Sequence, residues 1–153
     1  MAAARETGRE VLEELLSLMD LRAKVEDGKP LPGEKLAVKL NIVGDDLGIL
    51  IGRRGSTLYS LQFIAYLIVS HRLRTHVPIN VDVEGYKDRR YESLNILAAR
   101  MAESVMATGK PVAMEPMPAN ERRIIHLALR DHPGVITQSL GFGDERKVTI
   151  RKK

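Results

Sequence analysis

Residues 47–58 read Leu-Gly-Ile-Leu-Ile-Gly-Arg-Arg-Gly-Ser-Thr-Leu. An apolar run (Leu47, Ile49, Leu50, Ile51) leads into two adjacent arginines enclosed by glycines, and the helix-starting pair Ser56 and Thr57 follows. A glycine-bounded turn that opens a helix is an anion site. The N–H groups of the first helical turn have no intrahelical partner, the helix dipole favours negative charge there, and glycine lets an oxyanion reach the backbone without meeting a Cβ. Arg53 and Arg54 add two positive charges at the same place. The surroundings have the same sign: the 35 residues from Leu47 to Val81 contain no Asp or Glu, yet they include Arg53, Arg54, Arg72, Arg74, His71 and His76. The turn therefore suits a phosphodiester backbone. Glycine pairs at this spacing also occur in ordinary solvated turns, and arginines near a helix end also complement its dipole, so the flanking elements have to decide.

Upstream, Val11, Leu12, Leu15, Leu16 and Met19 recur at helical spacing opposite Glu10, Glu13 and Glu14, which predicts an amphipathic helix. Ala23 and Val25 alternate with charges, the cluster Gly28-Lys29-Pro30-Leu31-Pro32-Gly33 follows, and Leu36, Val38, Leu40 and Ile42 then alternate with more polar residues. This predicts a hairpin with a six-residue turn. Asp45 or Asp46 is expected to cap a short helix over Leu47–Ile51, and Ser56 or Thr57 a longer one with Leu58, Leu61, Ala65 and Ile68 on one stripe. Pro78 ends that region, and Ile79, Val81 and Val83 alternate as a strand. The order over residues 5–85 is α-β-β-α-α-β, with the Gly-x-x-Gly turn between the two consecutive helices.

Downstream, Tyr91, Leu94, Ala98, Met101 and Val105 step by three or four and predict a helix of about five turns, stopped by Gly109. Pro111 and Pro116 bracket a short segment expected at a sheet edge. A short helix with Asn120 as its cap follows. The strands "VITQSL" and "RKVTIRK" then flank the loop "GFGDE". Arg122 and His126 lie four apart on one face of the short helix, and Arg130 extends that face by four more. Residues 120–153 hold eight Lys or Arg against four Asp or Glu.

Composition narrows the function classes. The chain has 153 residues, a formal net charge of +4 and no cysteine, so disulfides and thiolate metal sites are excluded. The longest apolar run, Phe63–Val69, is far short of the roughly 20 residues a membrane span needs. With four Tyr, two Phe and no Trp, the chain has few rings for an RNA module that stacks bases on a sheet. No Gly-x-Ser-x-Gly or phosphate loop is present, and the histidines lack the spacing of helix-borne metal pairs. Asp82, Glu84 and Asp88 fall close together in sequence but match no catalytic motif. The sequence points to no catalytic residue, metal, cofactor or small-molecule substrate.

The first half resembles a KH domain, in the variant whose helix and hairpin precede the Gly-x-x-Gly loop. That resemblance implies that Gly52, Arg53, Arg54 and Gly55 clamp the backbone of about four nucleotides. It also places Ile49 and Ile51 on the groove floor where bases lie, with Leu58 in the core. The second half resembles the R-three-H domain, named for an Arg, three residues and a His, which binds single-stranded nucleic acid. Arg122 and His126 match the naming positions, Arg130 extends their face, and Arg146 and Lys147 match basic positions nearby. A His126 that gains charge near pH 6.5 is expected to strengthen phosphate binding as the pH falls.

The segments "GRRGSTLYSLQFIAYL", "YKDRRYESL" and "ERRIIHLAL" together resemble the bacterial Jag, or KhpB, family. The fold implied is α+β: a KH domain over 5–86, then a small α/β R-three-H domain with a three-stranded sheet over 87–153, entered through a connecting helix at about 87–109. The resemblance implies a cytoplasmic, stoichiometric regulator that binds single-stranded RNA, with single-stranded DNA left open. The family is also associated with a small single-KH partner protein, so the alternative is an adaptor that uses the KH fold to dock a protein. Many Jag proteins carry a further N-terminal domain and charged linker, whereas this chain begins at the KH helix.

Overall fold

A computed structural model describes residues 1–30 and 37–153. The chain forms two compact units, Met1–Lys87 and Asp88–Lys153. The first contains α1 (Ala2–Leu18), β1 (Ala23–Asp27), β2 (Val38–Gly44), α2 (Gly48–Ile51), a single 3-10 turn (Arg53–Gly55), α3 (Ser56–Leu73) and β3 (Ile79–Val83). This is the α-β-β-α-α-β order read from the sequence. The sheet runs β1-β2-β3, with β1 antiparallel and β3 parallel to β2. The parallel pair needs a long crossover, and α2, the turn and α3 provide it.

Alternation decides which side of the sheet is covered. Val38, Leu40 and Ile42 of β2 and Ile79, Val81 and Val83 of β3 are buried, facing Val11, Leu12 and Leu16 of α1 and Leu58, Leu61, Ala65 and Val69 of α3. The stripe on α3 ends at Val69 and not at Ile68, which is only partly buried, because Val69 lies one turn beyond Ala65. As an edge strand, β3 presents backbone donors, and the Val81 N–H donates to Gln62 Oε1 of α3 at 2.9 Å. The β1–β2 hairpin closes with Gly28 N–H donating to Lys39 O at 2.9 Å. The part of its expected turn over Leu31–Gly33, and the strand position Leu36, lie outside the described residues.

The second unit takes in all but the first two residues of α4 (Tyr86–Thr108), followed by β4 (Val112–Ala113), α5 (Ala119–Leu129), β5 (Val135–Leu140) and β6 (Lys147–Lys152). Its sheet runs β4-β6-β5 and is antiparallel throughout. The strand between the two prolines is at the edge as expected, but it is only two residues long. Leu94, Ala98, Ala102 and Val105 of α4 pack with Ile125 and Leu129 of α5 and with Val148 and Ile150 of β6. Among the described residues no helix is long and apolar enough to cross a membrane.

The expected polar caps are absent. Leu47 precedes α2, Gly55 precedes α3 and Pro118 precedes α5, none with a side-chain cap hydrogen bond. Ser56 and Thr57 already lie inside α3, and Asn120 lies inside α5, where its Nδ2 donates to Tyr91 Oη at 3.3 Å. At α5 the first turn carries an acid instead. Glu121, only 1% exposed, receives Arg90 Nε and Nη2 at 3.1 and 3.2 Å, where the helix dipole also favours its charge. Removing one partner of a buried pair is costly because the other charge stays buried. Arg90→Ala should therefore destabilise the second unit by about 3 kcal/mol, read as earlier loss of amide-exchange protection in residues 88–153. Unchanged protection there would show that the pair contributes little.

Candidate nucleic-acid interface

The turn between α2 and α3 is built from positive-φ residues. Gly52 has φ 69°, Arg54 φ 55° and Gly55 φ 80°. The glycines are also required by their neighbours. A Cβ on Gly52 would lie 2.1 Å from Thr57 Oγ1, and one on Gly55 would lie 2.8 Å from Cε1 of the Tyr86 ring. The loop is thus pressed against α3 on one side and Tyr86 on the other. Arg53 is exposed and Arg54 half-buried. No side chain caps α3; the Ser56 N–H donates back to Arg53 O within the turn, and the N-terminal end of the helix lies beside these arginines. Of the apolar residues expected to face bases, Ile49 is 65% exposed and presents a surface next to the loop. Ile51 is half-buried against the core, and Leu58 is fully buried.

A second cluster links α5 to β5. Arg122 and His126, four apart on α5, meet Thr137 and Ser139, two apart on β5. Arg122 Nε donates to Met117 O at 3.1 Å and its Nη1 to Ser139 Oγ at 3.3 Å. His126 engages Thr137 Oγ1 through Nδ1 at 2.7 Å and Ser139 Oγ through Nε2 at 2.9 Å. The Ser139 hydroxyl therefore bridges both naming residues. Arg122 uses two of its five N–H donors in these bonds. Arg130 does not join the cluster. It lies exposed past the end of α5, with its Nε 3.8 Å from Asp131 Oδ1. Arg146 Nη1 donates to Gly141 O at 2.9 Å, bracing the β5–β6 turn, and Lys147 pairs in register with Leu140.

Two family models match the chain. One described as the KhpA/KhpB KH domain covers residues 9–83, and the R-three-H domain model covers residues 92–152. The chain belongs to the KhpB (Jag) family. Among its relatives are proteins called RNA-binding protein KhpB. That of Clostridium symbiosum is 43% identical over 116 residues, covering 76% of this chain and 52% of the relative. That of Bacillus subtilis strain 168 is 36% identical over 121 residues, covering 78% and 58%. That of Lactiplantibacillus plantarum is 39% identical over 111 residues, covering 72% and 34%. The chain thus spans about half the length of the first two.

In this KhpB-family chain the hydroxyls of Thr137 and Ser139 are the members of the Arg122–His126 cluster that the sequence reading missed. Their period-two spacing on "VITQSL" was visible, but it acquires meaning only once β5 lies against α5. The structure also alters the expected role of His126. Burial first, and then the Arg122 charge, hold its imidazole below the ordinary value of 6.5, so the ring is neutral near pH 7 and the anticipated gain of charge near pH 6.5 moves to lower pH. The unfolded chain, with an ordinary imidazole, binds the proton first. The contribution of neutral His126 to stability is therefore fully present above pH 6.5 and lost as the pH falls through the folded value. Chemical denaturation should show the second unit weakening below pH 6.5, and His126→Gln should flatten that fall. Identical pH profiles for the two proteins would show that His126 titrates as in the unfolded chain.

Proposed function

We propose that this chain is a stoichiometric regulator of RNA in the bacterial cytoplasm that holds single-stranded RNA at two places. The KH domain, residues 5–86, takes one stretch of backbone at Gly52–Gly55, and the R-three-H domain, residues 87–153, takes another at Arg122. The observation that carries this reading is the loop itself: a tightly packed, glycine-formed turn at the uncapped N-terminus of α3, with Arg53 exposed and the exposed Ile49 beside it. Backbone amides and arginines would hold phosphates, while Ile49 and part of Ile51 would offer an apolar floor to bases. At the second place Arg122 keeps donors for a phosphate, with His126 as a neutral partner that fixes the Ser139 hydroxyl. The relatives named RNA-binding protein support the same ligand.

A second reading, an adaptor that docks a small single-KH protein, has one observation in its favour: Phe63, Ile64 and Leu67 are exposed on the outward side of α3. Salt separates the two, since phosphate contacts release counterions and apolar docking does not. Replacing Arg53 and Arg54 by Asp should leave the fold intact, because the turn is at the surface and Asp tolerates the left-handed conformation at position 54. Binding to a short single-stranded RNA should weaken at least tenfold, with a shallower salt dependence by roughly 0.7 per lost phosphate contact. A folded double variant with unaltered affinity and salt slope would remove the loop from the binding site.

A further inference from the structure

We propose that Phe142, at the tip of the β5–β6 turn, is a stacking platform for a base of the strand whose phosphate lies at Arg122. This inference rests on the reading of the second unit as an RNA site. Phe142 is 90% exposed, the most exposed large apolar side chain among the described residues, and it is one of only two phenylalanines in a chain without tryptophan. Its backbone is held in place. Gly141 (φ 96°) and Gly143 (φ 54°) turn the chain on either side, and Glu145 N–H donates to Phe142 O at 3.1 Å. Arg146 fastens both glycines, its N–H to Gly143 O at 3.2 Å and its Nη1 to Gly141 O at 2.9 Å. A ring on a pre-set turn loses little freedom when a base stacks on it.

Position and charge indicate what the ring would take. Phe142 is three residues beyond Ser139, the hydroxyl shared by Arg122 and His126, and extended chain covers about 3.3 Å per residue. The tip is thus within about 10 Å of Ser139, a gap that a sugar and base leaving a phosphate at Arg122 can bridge. Asp144 and Glu145 follow on the same turn and offset the charges of Arg146 and Lys147, so the tip carries no net pull on phosphate, whereas Arg122 attracts it. The strand is thereby sorted, with its charged backbone toward α5 and an uncharged base face toward the tip. Stacking on an isolated ring is tolerant of sequence, because every base has a π-face.

The experiment uses the full chain. Phe142→Trp gives it a single tryptophan, a reporter confined to this turn even while the first unit also binds RNA. Adding a short oligoadenylate should quench its emission, and an abasic oligomer with the same number of phosphates should not. Arg122→Ala in the same background should remove the quench, and Phe142→Ala alone should weaken oligoadenylate binding about tenfold. If the tryptophan stays bright and Phe142→Ala binds normally while Arg122→Ala still weakens binding, stacking is wrong and the Arg122 site stands; the tip then serves a protein or nothing. If Arg122→Ala is also without effect, the RNA reading of this unit fails and the stacking role goes with it. Equal quenching by the abasic oligomer would assign the signal to loop movement and overturn the proposal.

Discussion

Two missing methyl groups set the geometry of the first unit. At Gly52 a Cβ would collide with Thr57, and at Gly55 with the ring of Tyr86, so the chain can reverse between α2 and α3 only with glycine at both places. That reversal ends α2 with Ile49 exposed beside the loop and starts α3 without a side-chain cap. It also forces Arg54, which has a Cβ, into the left-handed region, at a cost of about 1–2 kcal/mol. Such strain persists only where the surroundings over-determine it. The ring packed at Gly55 and the buried Leu50 and Leu58 on either side of the turn do so here. The same contacts that fold the loop thus fix where its arginines and amides are held.

The two units handle polar groups in opposite ways. The α2–α3 turn keeps Arg53 exposed at the surface, where solvent and salt compete. The α5–β5 cluster is half-buried, and His126 has both ring nitrogens committed to hydroxyls. Buried polar networks require nearly every member to be satisfied. Thr and Ser meet that requirement because a hydroxyl can donate or accept according to what the imidazole presents. The Arg90–Glu121 pair applies the same rule at the start of α5 and anchors the helix that carries Arg122.

The element order was legible because alternation along β2 and β3, and the three-to-four stepping along α1, α3 and α4, follow directly from which side chains are buried. The caps were not legible for a physical reason. Asp46, Ser56 and Asn120 each have cap chemistry, but the cap position goes to whichever residue the preceding turn delivers, and the left-handed Gly55 and the extended Pro118 deliver other residues. The role of the loop glycines was only half visible. Room for a phosphate could be argued from the sequence, whereas contact with Tyr86, more than thirty positions away, could not. Thr137 and Ser139 were invisible as members of the Arg122–His126 cluster on the same ground, since facing α5 is a tertiary fact. Arg130 illustrates the converse: helical spacing placed it with Arg122 and His126, but α5 ends at Leu129 and leaves Arg130 exposed beside Asp131.

A neutral His126 changes what the second cluster can offer an anion. A phosphate beside an imidazole favours the protonated ring, but burial and Arg122 oppose it, so a charge on the ring would have to overcome both before it helped binding. Attraction of an anion at this place would therefore fall to Arg122, which is charged at any relevant pH. His126 instead acts on Ser139. By occupying that hydroxyl from one side while Arg122 Nη1 donates from another, it holds the guanidinium and the end of β5 in one arrangement. The Arg-x-x-x-His spacing then follows from geometry: one helical turn separates a residue that carries the charge from a residue that positions the strand it works beside.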